Sequence, residues 1–181
     1  MNLLVLVGST RPGSYNAQLA DLAIADLPAD VTVTRFDRLG ELPFYEEHTD
    51  AAGGFPAIVD EFRATVSAAD AILVVTPEYN GGMSALLKNA LDIASRPRAK
   101  APIAGKRVAV LAATAAPGGA QSARAGAVEA LVRAQAQPIL DTIGVSKAYE
   151  TIVDGHLTDE ALESEVRALV AQLVEAPVAA A

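Results

Sequence analysis

The sequence has 181 residues, of which 51% are apolar but only 4% aromatic, and it contains neither tryptophan nor cysteine. The missing cysteines exclude disulfide bonds, thiolate metal sites and a cysteine nucleophile. The formal net charge of −8 disfavours nucleic acid and anionic membrane as partners, because like charges repel.

The start of the chain is expected to belong to the fold. Residues 1–7 (MNLLVLV) lack the basic region and cleavage site of a signal peptide, and no apolar run approaches the roughly 20 residues of a membrane span. We therefore expect a cytoplasmic protein with one domain over residues 1–176. The tail at 177–181 has nothing to pack against and is expected to fray.

Short apolar stretches predict the strands. Asn2–Val7, Ala71–Thr76 and Arg107–Ala113 are nearly continuous and rich in valine and leucine, as strands buried on both faces are. Val31–Phe36 alternates more and is predicted to be an edge strand. A fifth strand is placed within or just after residues 138–145.

Apolar residues recur at helical spacing between these strands, around residues 19–27, 55–66 and 87–94, and a fourth helix is expected within 120–136. In the last helix, Thr158 is the predicted cap, and the acidic residues after it favour the first turn. Its apolar face comprises Leu162, Val166, Leu169, Val170 and Leu173. The long irregular stretch Asp37–Gly54 is a candidate functional loop.

Strands that alternate with helices predict a parallel sheet covered on both faces, a three-layer α/β/α fold. For five strands the common order is 2-1-3-4-5, the flavodoxin-like arrangement, in which ligands bind between the first and third strands at their carboxyl ends. The loops that follow Val7 and Thr76 should therefore lie side by side and share one ligand.

The loop after the first strand, GSTRPGSYN (residues 8–16), is rich in hydrogen-bond donors. It fits neither Gly-x-Gly-x-x-Gly nor the Walker A pattern. A helix that begins near Ser14 would leave backbone amides free, and Arg11 adds a charged guanidinium group that can bind phosphate through two hydrogen bonds. An ordinary strand-to-helix turn capped by Ser14 is the alternative, but it does not explain the clustering of Ser9, Arg11 and Asn16. We therefore expect a phosphate site.

The loop after the third strand reads PEYNGGMS (residues 77–84). Tyr79 offers a flat face, and the glycines after Asn80 let a planar ligand approach the backbone. Taken alone, this loop could equally be a simple turn before a helix that begins near Ser84. Its predicted position beside a phosphate loop favours a ligand site.

The two loops together resemble those of a known family. GSTRPGSYNAQLA (8–20) with PEYNGGMSALLKNALDIASRP (77–97) closely resembles the NAD(P)H-dependent FMN reductase family, which includes bacterial quinone, chromate and azo-dye reductases. LPFYEE (42–47) and DGHLTDE (154–160) are also similar to the family's segments, so the resemblance covers nearly the whole chain. The Ser-x-Arg-x-x-Ser-x-Asn and Pro-Glu-Tyr-Asn blocks are specific as a pair.

The resemblance implies a flavodoxin-like fold that holds FMN. The positions that match phosphate-binding residues are Ser9, Arg11, Ser14 and Asn16. Those that match residues beside the isoalloxazine ring are Pro77, Glu78, Tyr79 and Asn80. In the loop Thr114–Ala125, the positions that match the ring's other edge are Pro117, Gly118 and Gly119.

Two departures from the family pattern stand out. Gly81–Ser84 replaces a stretch that often carries a proline in relatives, so we expect a looser pocket beside the ring. Ala120–Ser122 stands where relatives often have more glycine, which leaves the contacts of that loop open.

The resemblance also implies an enzyme in which the flavin carries the chemistry and no side chain is catalytic. NAD(P)H would reduce FMN, and an oxidant such as a quinone or free flavin would then take its place in a ping-pong cycle. The amides of Gly118 and Gly119 are the expected donors to the negative charge that forms on the ring. Homodimers or homotetramers are implied, with Asp37–Gly54 near the interface and the substrate.

A flavodoxin-type FMN electron carrier without its own NAD(P)H oxidation is the alternative function. Such a carrier would be expected to enclose its ring between two aromatic residues, whereas this loop offers only Tyr79, and this favours the reductase. A phosphosugar- or nucleotide-binding protein without flavin is a third possibility. FMN is preferred over FAD because the first loop looks suited to a terminal phosphate.

The remaining polar groups are expected to be solvated. His48 and His156 lie in polar loops, and the consecutive side chains of EEHTD (46–50) are not spaced as metal ligands. Lys88 and Asp92 are spaced for a surface ion pair, and Asn89 is assigned to the same exposed helix face. No metal site is predicted.

Overall fold

The computed structural model describes residues 1–175; the predicted fray at 177–181 lies outside them. The strands of the central sheet are β1 (Asn2–Val7), β2 (Thr32–Arg35), β3 (Ala71–Thr76), β6 (Arg107–Ala113), β7 (Gln137–Pro138) and β8 (Ile143–Val145). Two small antiparallel pairs complete the strands: β4 (Glu78–Tyr79) with β5 (Gly82–Met83), and β9 (Ile152–Val153) with β10 (His156–Leu157).

The helices follow the predicted alternation. They are α1 (Tyr15–Ile24), α2 (Glu47–Ala51), α3 (Ala57–Ala68), α4 (Ala85–Ala94), α5 (Gln121–Arg133), α6 (Ala148–Thr151) and α7 (Glu160–Glu175), with 3-10 turns at Leu39–Glu41 and Arg98–Lys100. No helix within residues 1–175 has the length and apolar character needed to cross a bilayer.

The sheet is parallel and runs in the order β2-β1-β3-β6, with β7 and β8 both on the far side of β6. This is the predicted flavodoxin-like order. β2 is an edge strand, as its alternating sequence indicated. The order reverses between β1 and β3, where the sheet opens a crevice at the carboxyl ends of the strands.

Alternating strand residues bury themselves in two cores, one on each face of the sheet. Leu4 and Leu6 of β1 face a core built with α3, α4 and α5, whereas Leu3 and Val5 face a core built with α1 and α7. Because successive strand side chains point to opposite faces, a strand covered on both sides must be apolar throughout. The three-layer prediction is confirmed.

The predicted fifth strand is split in two. β7 pairs with Arg107 and Val108, and β8 resumes the pairing at Leu111, so residues 139–142 stand opposite only residues 109 and 110. The surplus bulges away from the sheet and leaves Leu140 exposed.

Three local predictions need correction. Asp159, and not Thr158, caps α7, because its carboxylate accepts hydrogen bonds from the amides of Ala161 and Leu162. The stretch Asp37–Gly54 is not wholly irregular, since it contains a 3-10 turn and α2. Glu46 caps α2 by accepting from the amides two and three residues on. Asn89 lies not on the exposed face of α4 but in its buried part.

Candidate functional site

Three loops leave the carboxyl ends of β1, β3 and β6 at one edge of the sheet. We call residues 8–14 the first loop, 77–84 the second loop and 114–120 the third loop. The amide of Gly8 donates to the carbonyl of Val75 at 2.8 Å, and a Cβ placed on Gly8 would lie 2.7 Å from Oγ of Ser84. The first two loops therefore lie side by side, as predicted, and a larger residue at Gly8 would force the Ser84 side chain to move.

The first loop and the first turn of α1 together present a set of backbone amides that have no acceptor within residues 1–175. These amides belong to Ser9, Thr10, Arg11, Gly13, Tyr15, Asn16 and Ala17. Several of them open α1, where the helix dipole adds positive potential. A concave run of free amides at a helix start is a site for an anion such as phosphate.

Ser14 occupies the N-cap position of α1 without acting as a cap. It is only 2% exposed, yet its hydroxyl makes no hydrogen bond within the described chain. The Ser14 oxygen is not among the buried polar atoms that lack a partner, so it keeps some exposed surface to which a ligand can bind. A phosphate oxygen would supply the partner that this hydroxyl lacks.

Arg11 and Asn16 have different surroundings. The guanidinium of Arg11 is exposed and lies 5.4 Å from the centroid of the Tyr15 ring, with no carboxylate in ion-pair range among residues 1–175. The side-chain amide of Asn16 is buried and bonded to both backbone groups of Ala113. Asn16 therefore joins α1 to the end of β6. Its side chain is already hydrogen-bonded, so its backbone amide is the group that can bind an anion.

The second loop is a β-hairpin. Glu78–Tyr79 pairs with Gly82–Met83, and both turn residues, Asn80 and Gly81, have positive φ angles of 51° and 74°. Such a two-residue turn matches strand twist and favours an Asn-Gly sequence. Pro77 is buried at its base, while the Tyr79 ring is 61% exposed. The hairpin therefore presents an open aromatic face.

Glu78 does not point freely into the crevice. Its Oε2 accepts a hydrogen bond of 3.0 Å from the amide of Ala123, in the first turn of α5. The second loop is thus bonded to the helix that follows the third loop.

The third loop offers another set of free amides. Gly118 and Gly119 have positive φ angles of 98° and 59°, and their amides donate to no acceptor within residues 1–175. Pro117 is exposed beside them. A Cβ on Gly119 would lie 2.7 Å from the carbonyl oxygen of Gly144, so glycine is required there.

Arg124 connects the third loop to the segment that precedes β8. Its guanidinium donates to the carbonyl of Gly119 at 2.8 Å and to the carbonyl of Thr142 at 2.7 Å. Burial lowers the pKa of Arg124 below its usual value, and the charge of Glu78 opposes that shift. The guanidinium therefore adds positive charge behind the loop that carries the free amides.

Asn89 has a structural role that was not predicted from the sequence. Its side chain accepts from the amide of Tyr45 and donates to the carbonyl of Pro43, each at 2.9 Å. These bonds fix the backbone on both sides of Phe44, whose ring is 81% exposed. The available signal was an asparagine in the middle of a helix. Asparagine is a poor helix former, and its side chain readily hydrogen-bonds to backbone groups.

The two histidines and the predicted ion pair of α4 lie at the protein surface, as expected. His48 and His156 are exposed, and Lys88 pairs with Asp92 across one helical turn at 2.6 Å. No group of histidine, aspartate and glutamate within residues 1–175 is arranged to hold a metal. Asp50 was expected to be solvated but is not. It forms a mostly buried, bidentate ion pair with Arg63.

The three loops together suit a ligand with a phosphate at one end and a planar, hydrogen-bonding ring at the other. The first loop can hold the phosphate with amides, the Ser14 hydroxyl and Arg11. Tyr79 and the free amides of the third loop flank the space that a ring would occupy. FMN has these two parts, and the residues present fit it.

Comparison with known proteins also points to a flavin-binding protein. Residues 1–150 match the model of the NADPH-dependent FMN reductase family. Over 178 residues the chain is 36% identical to an NAD(P)H-dependent FMN reductase of Pseudomonas aeruginosa, covering 97% of this chain and 92% of that protein. It is 40% identical over 111 residues to a 2-hydroxy-1,4-benzoquinone reductase of a Burkholderia species, covering 61% and 59% of the two chains.

A solved structure is similar over almost its whole length. The NAD(P)H:(acceptor) oxidoreductase FerB of Paracoccus denitrificans, a flavoenzyme, superposes with a TM-score of 0.81 at 28% identity. The match covers 95% of this chain and 96% of that one.

Proposed function

This chain belongs to the NADPH-dependent FMN reductase family, and from that membership we propose how its three loops hold the cofactor and what they reduce. It is an NAD(P)H-dependent oxidoreductase that uses FMN. When bound, the flavin supplies the redox chemistry, accepting hydride from NAD(P)H and passing electrons to an oxidant. The protein's part is to bind, orient and expose it.

We propose that the first loop holds the phosphate of FMN. The observation that carries this assignment is the set of free backbone amides at the start of α1, with the unpartnered hydroxyl of Ser14 among them. Ser9 adds a hydroxyl group, and Arg11 adds a charged guanidinium group. Charge-assisted hydrogen bonds of this kind contribute about 1.5–3 kcal/mol each.

The ring is proposed to lie between the second and third loops. Pro77, Tyr79 and Asn80 border it on one side, and the amides of Gly118 and Gly119 would donate to its pyrimidine edge. Hydrogen-bond donors at that edge stabilise the negative charge of the reduced ring. Pro117 would border the same edge.

The electron acceptor is proposed to be a quinone or a similar small molecule. Tyr79 is 61% exposed, so a flavin ring beside it would keep a face on which NAD(P)H and then the acceptor could bind in turn. A ping-pong cycle follows from one shared face, because the first product must leave before the oxidant enters.

We also propose that the protein forms a homodimer or homotetramer and works in the cytoplasm, where NADH and NADPH are produced, as one domain over residues 1–176. The support for self-association is Phe44, an 81% exposed ring whose backbone is held rigid by Asn89. Aromatic side chains are enriched at the buried centres of protein–protein interfaces, so this ring is a candidate contact between two copies of the chain.

An anaerobic titration tests the proposed function. The purified protein, loaded with FMN, should lose its yellow absorbance when NADH or NADPH is added, and regain it with a stoichiometric amount of a benzoquinone. Failure to bind FMN would reject every flavin function. Binding of FMN without bleaching by either nucleotide would instead favour an electron carrier.

A further inference from the structure

Helix α5 begins without a cap of its own. Its N-cap position is Ala120, in the left-handed region at φ 55° and ψ 43°, and its first turn contains no acidic residue. Alanine cannot accept a hydrogen bond through its side chain, so the first amides of α5 need acceptors from elsewhere.

Glu78 provides one of these acceptors from the second loop. Its Oε2 lies 3.0 Å from the amide nitrogen of Ala123, which is 0% exposed, and 45 positions separate the two residues. A carboxylate at a helix start also faces the positive end of the helix dipole. The cap that α5 lacks locally is therefore supplied by the hairpin.

The other end of the hairpin is attached to the same helix. Met83 packs against a small cluster of buried alanines, Ala112, Ala120 and Ala123. Glu78 and Met83 are cross-strand partners in the β4–β5 pair, so both ends of the hairpin meet the start of α5. Polar and apolar contacts thus fix the second loop against the third.

We propose that Glu78 is a positioning residue, which caps α5 and thereby holds Tyr79 and the amides of Gly118 and Gly119 in a fixed relation, and that it is not a ligand of FMN. This inference rests on the proposed function, because it assigns a role within that site. It departs from what the resemblance implied for Glu78. A carboxylate already bonded to a helix amide holds the loops ready before any cofactor binds.

Three variants test the role of Glu78. Glu78→Ala removes the acceptor, whereas Glu78→Gln keeps an oxygen that can accept from Ala123. Asp159→Ala is the matched control, because it removes a carboxylate cap from α7, which packs on the other face of the sheet. Amide hydrogen exchange and melting temperature are measured on the apoprotein, and the FMN dissociation constant by fluorescence quenching.

We expect Glu78→Ala to lower the melting temperature of the apoprotein by about 2–4 °C and to speed exchange over residues 78–83 and 118–124. FMN should bind up to about tenfold more weakly, since binding must then order the loops. Glu78→Gln should restore most of the protection and affinity. Asp159→Ala should lower the melting temperature similarly but leave the FMN dissociation constant within about twofold.

Two results would overturn the proposal. If Glu78→Ala weakens FMN binding while exchange in the apoprotein stays unchanged, Glu78 is a direct ligand. If Glu78→Gln is as impaired as Glu78→Ala, the charge acts and not the bond to Ala123. Because exchange is measured without cofactor, these results are separate from a failure of the wild-type protein to bind FMN, which would reject the proposed function.

Discussion

The side-chain amide of Asn16 makes two hydrogen bonds with the backbone of Ala113, 97 positions away in the chain. Its Nδ2 donates to the carbonyl at 2.9 Å and its Oδ1 accepts from the amide at 2.8 Å. Ala113 ends β6, so one buried side chain ties the helix after the first loop to the strand before the third loop. The relative position of these loops is therefore part of the folded core.

Replacing Asn16 by aspartate would keep the shape of the side chain and remove its donor. A carboxylate oxygen would then face the carbonyl of Ala113, so we expect the free energy of unfolding to fall by about 1–3 kcal/mol. Urea denaturation measures this change. Gln172→Glu makes the same amide-to-acid change at an exposed position of α7 and should change the free energy by less than about 0.5 kcal/mol. Equal losses in the two variants would contradict a specific role for the Asn16 bonds.

Replacing Arg11 by alanine should separate phosphate binding from ring binding. We expect FMN affinity to fall about 10- to 100-fold, because one charge-assisted contact is lost, while riboflavin, which lacks the phosphate, should bind as before. Fluorescence titration with both flavins measures the difference. Arg133→Ala removes an exposed guanidinium paired with Glu129 and serves as the control. The phosphate assignment is wrong if Arg11→Ala weakens both flavins equally.

Two glycine substitutions should have opposite effects on stability. A Cβ at Gly144 would overlap the carbonyl of Gly119 and lie 2.7 Å from Nε of Arg124, so Gly144→Ala should lower the free energy of unfolding by about 1–3 kcal/mol. Gly126 lies inside α5, where a Cβ would only touch Met83 at 4.0 Å. Gly126→Ala should therefore raise the free energy by about 0.5–1 kcal/mol. Denaturant titration of both variants checks the pair, and a loss at Gly126 would show that this space is not open.

Acid should weaken the contact between α2 and α3 through Asp50. The hydrogen bonds from Arg63 hold the pKa of this carboxyl below its usual range, although burial acts in the opposite direction. Because the folded-state pKa is lowered, the stabilisation is present above the unfolded-state pKa and is lost as the pH falls through the folded value. Wild-type stability should thus fall as the pH drops below about 5, partly through this group.

Asp50→Asn should lower the free energy of unfolding at pH 7 by about 1.5–3 kcal/mol and flatten its dependence on pH below pH 5. Thermal or urea unfolding at several pH values measures both effects. Glu129→Gln, in an exposed pair that solvent screens, is the control and should change neither noticeably. An unchanged pH profile in Asp50→Asn would mean that the Arg63 contact contributes nothing to stability.

Much of the fold could be predicted because it depends on local pattern. Continuous apolar stretches at β1, β3 and β6 identify strands covered on both faces, and the alternation of strands with helices leaves few possible sheet orders. The meeting of the loops after Val7 and Thr76 follows from that order. The donor-rich composition of the first loop likewise indicates an anion site from the sequence.

Two of the errors share a physical cause, since the split strand and the burial of Asn89 depend on contacts between distant parts of the chain. The split of the fifth strand reflects two surplus residues opposite β6. Asn89 could be placed on a helix but not beside Pro43 and Tyr45. Which of Thr158 and Asp159 caps α7 depends on a one-residue difference in where the helix starts.

The sequence by itself determined the layered fold, the switch point of the sheet and the chemistry available in its loops, because hydrophobic period and residue type are local properties. Only the tertiary structure decided what each polar side chain does there. The Ser14 hydroxyl has no partner within residues 1–175, whereas the side chains of Asn16 and Glu78 are hydrogen-bonded to Ala113 and Ala123. A side chain's role depends on which donor or acceptor lies within about 3 Å, and packing of the whole chain sets that distance.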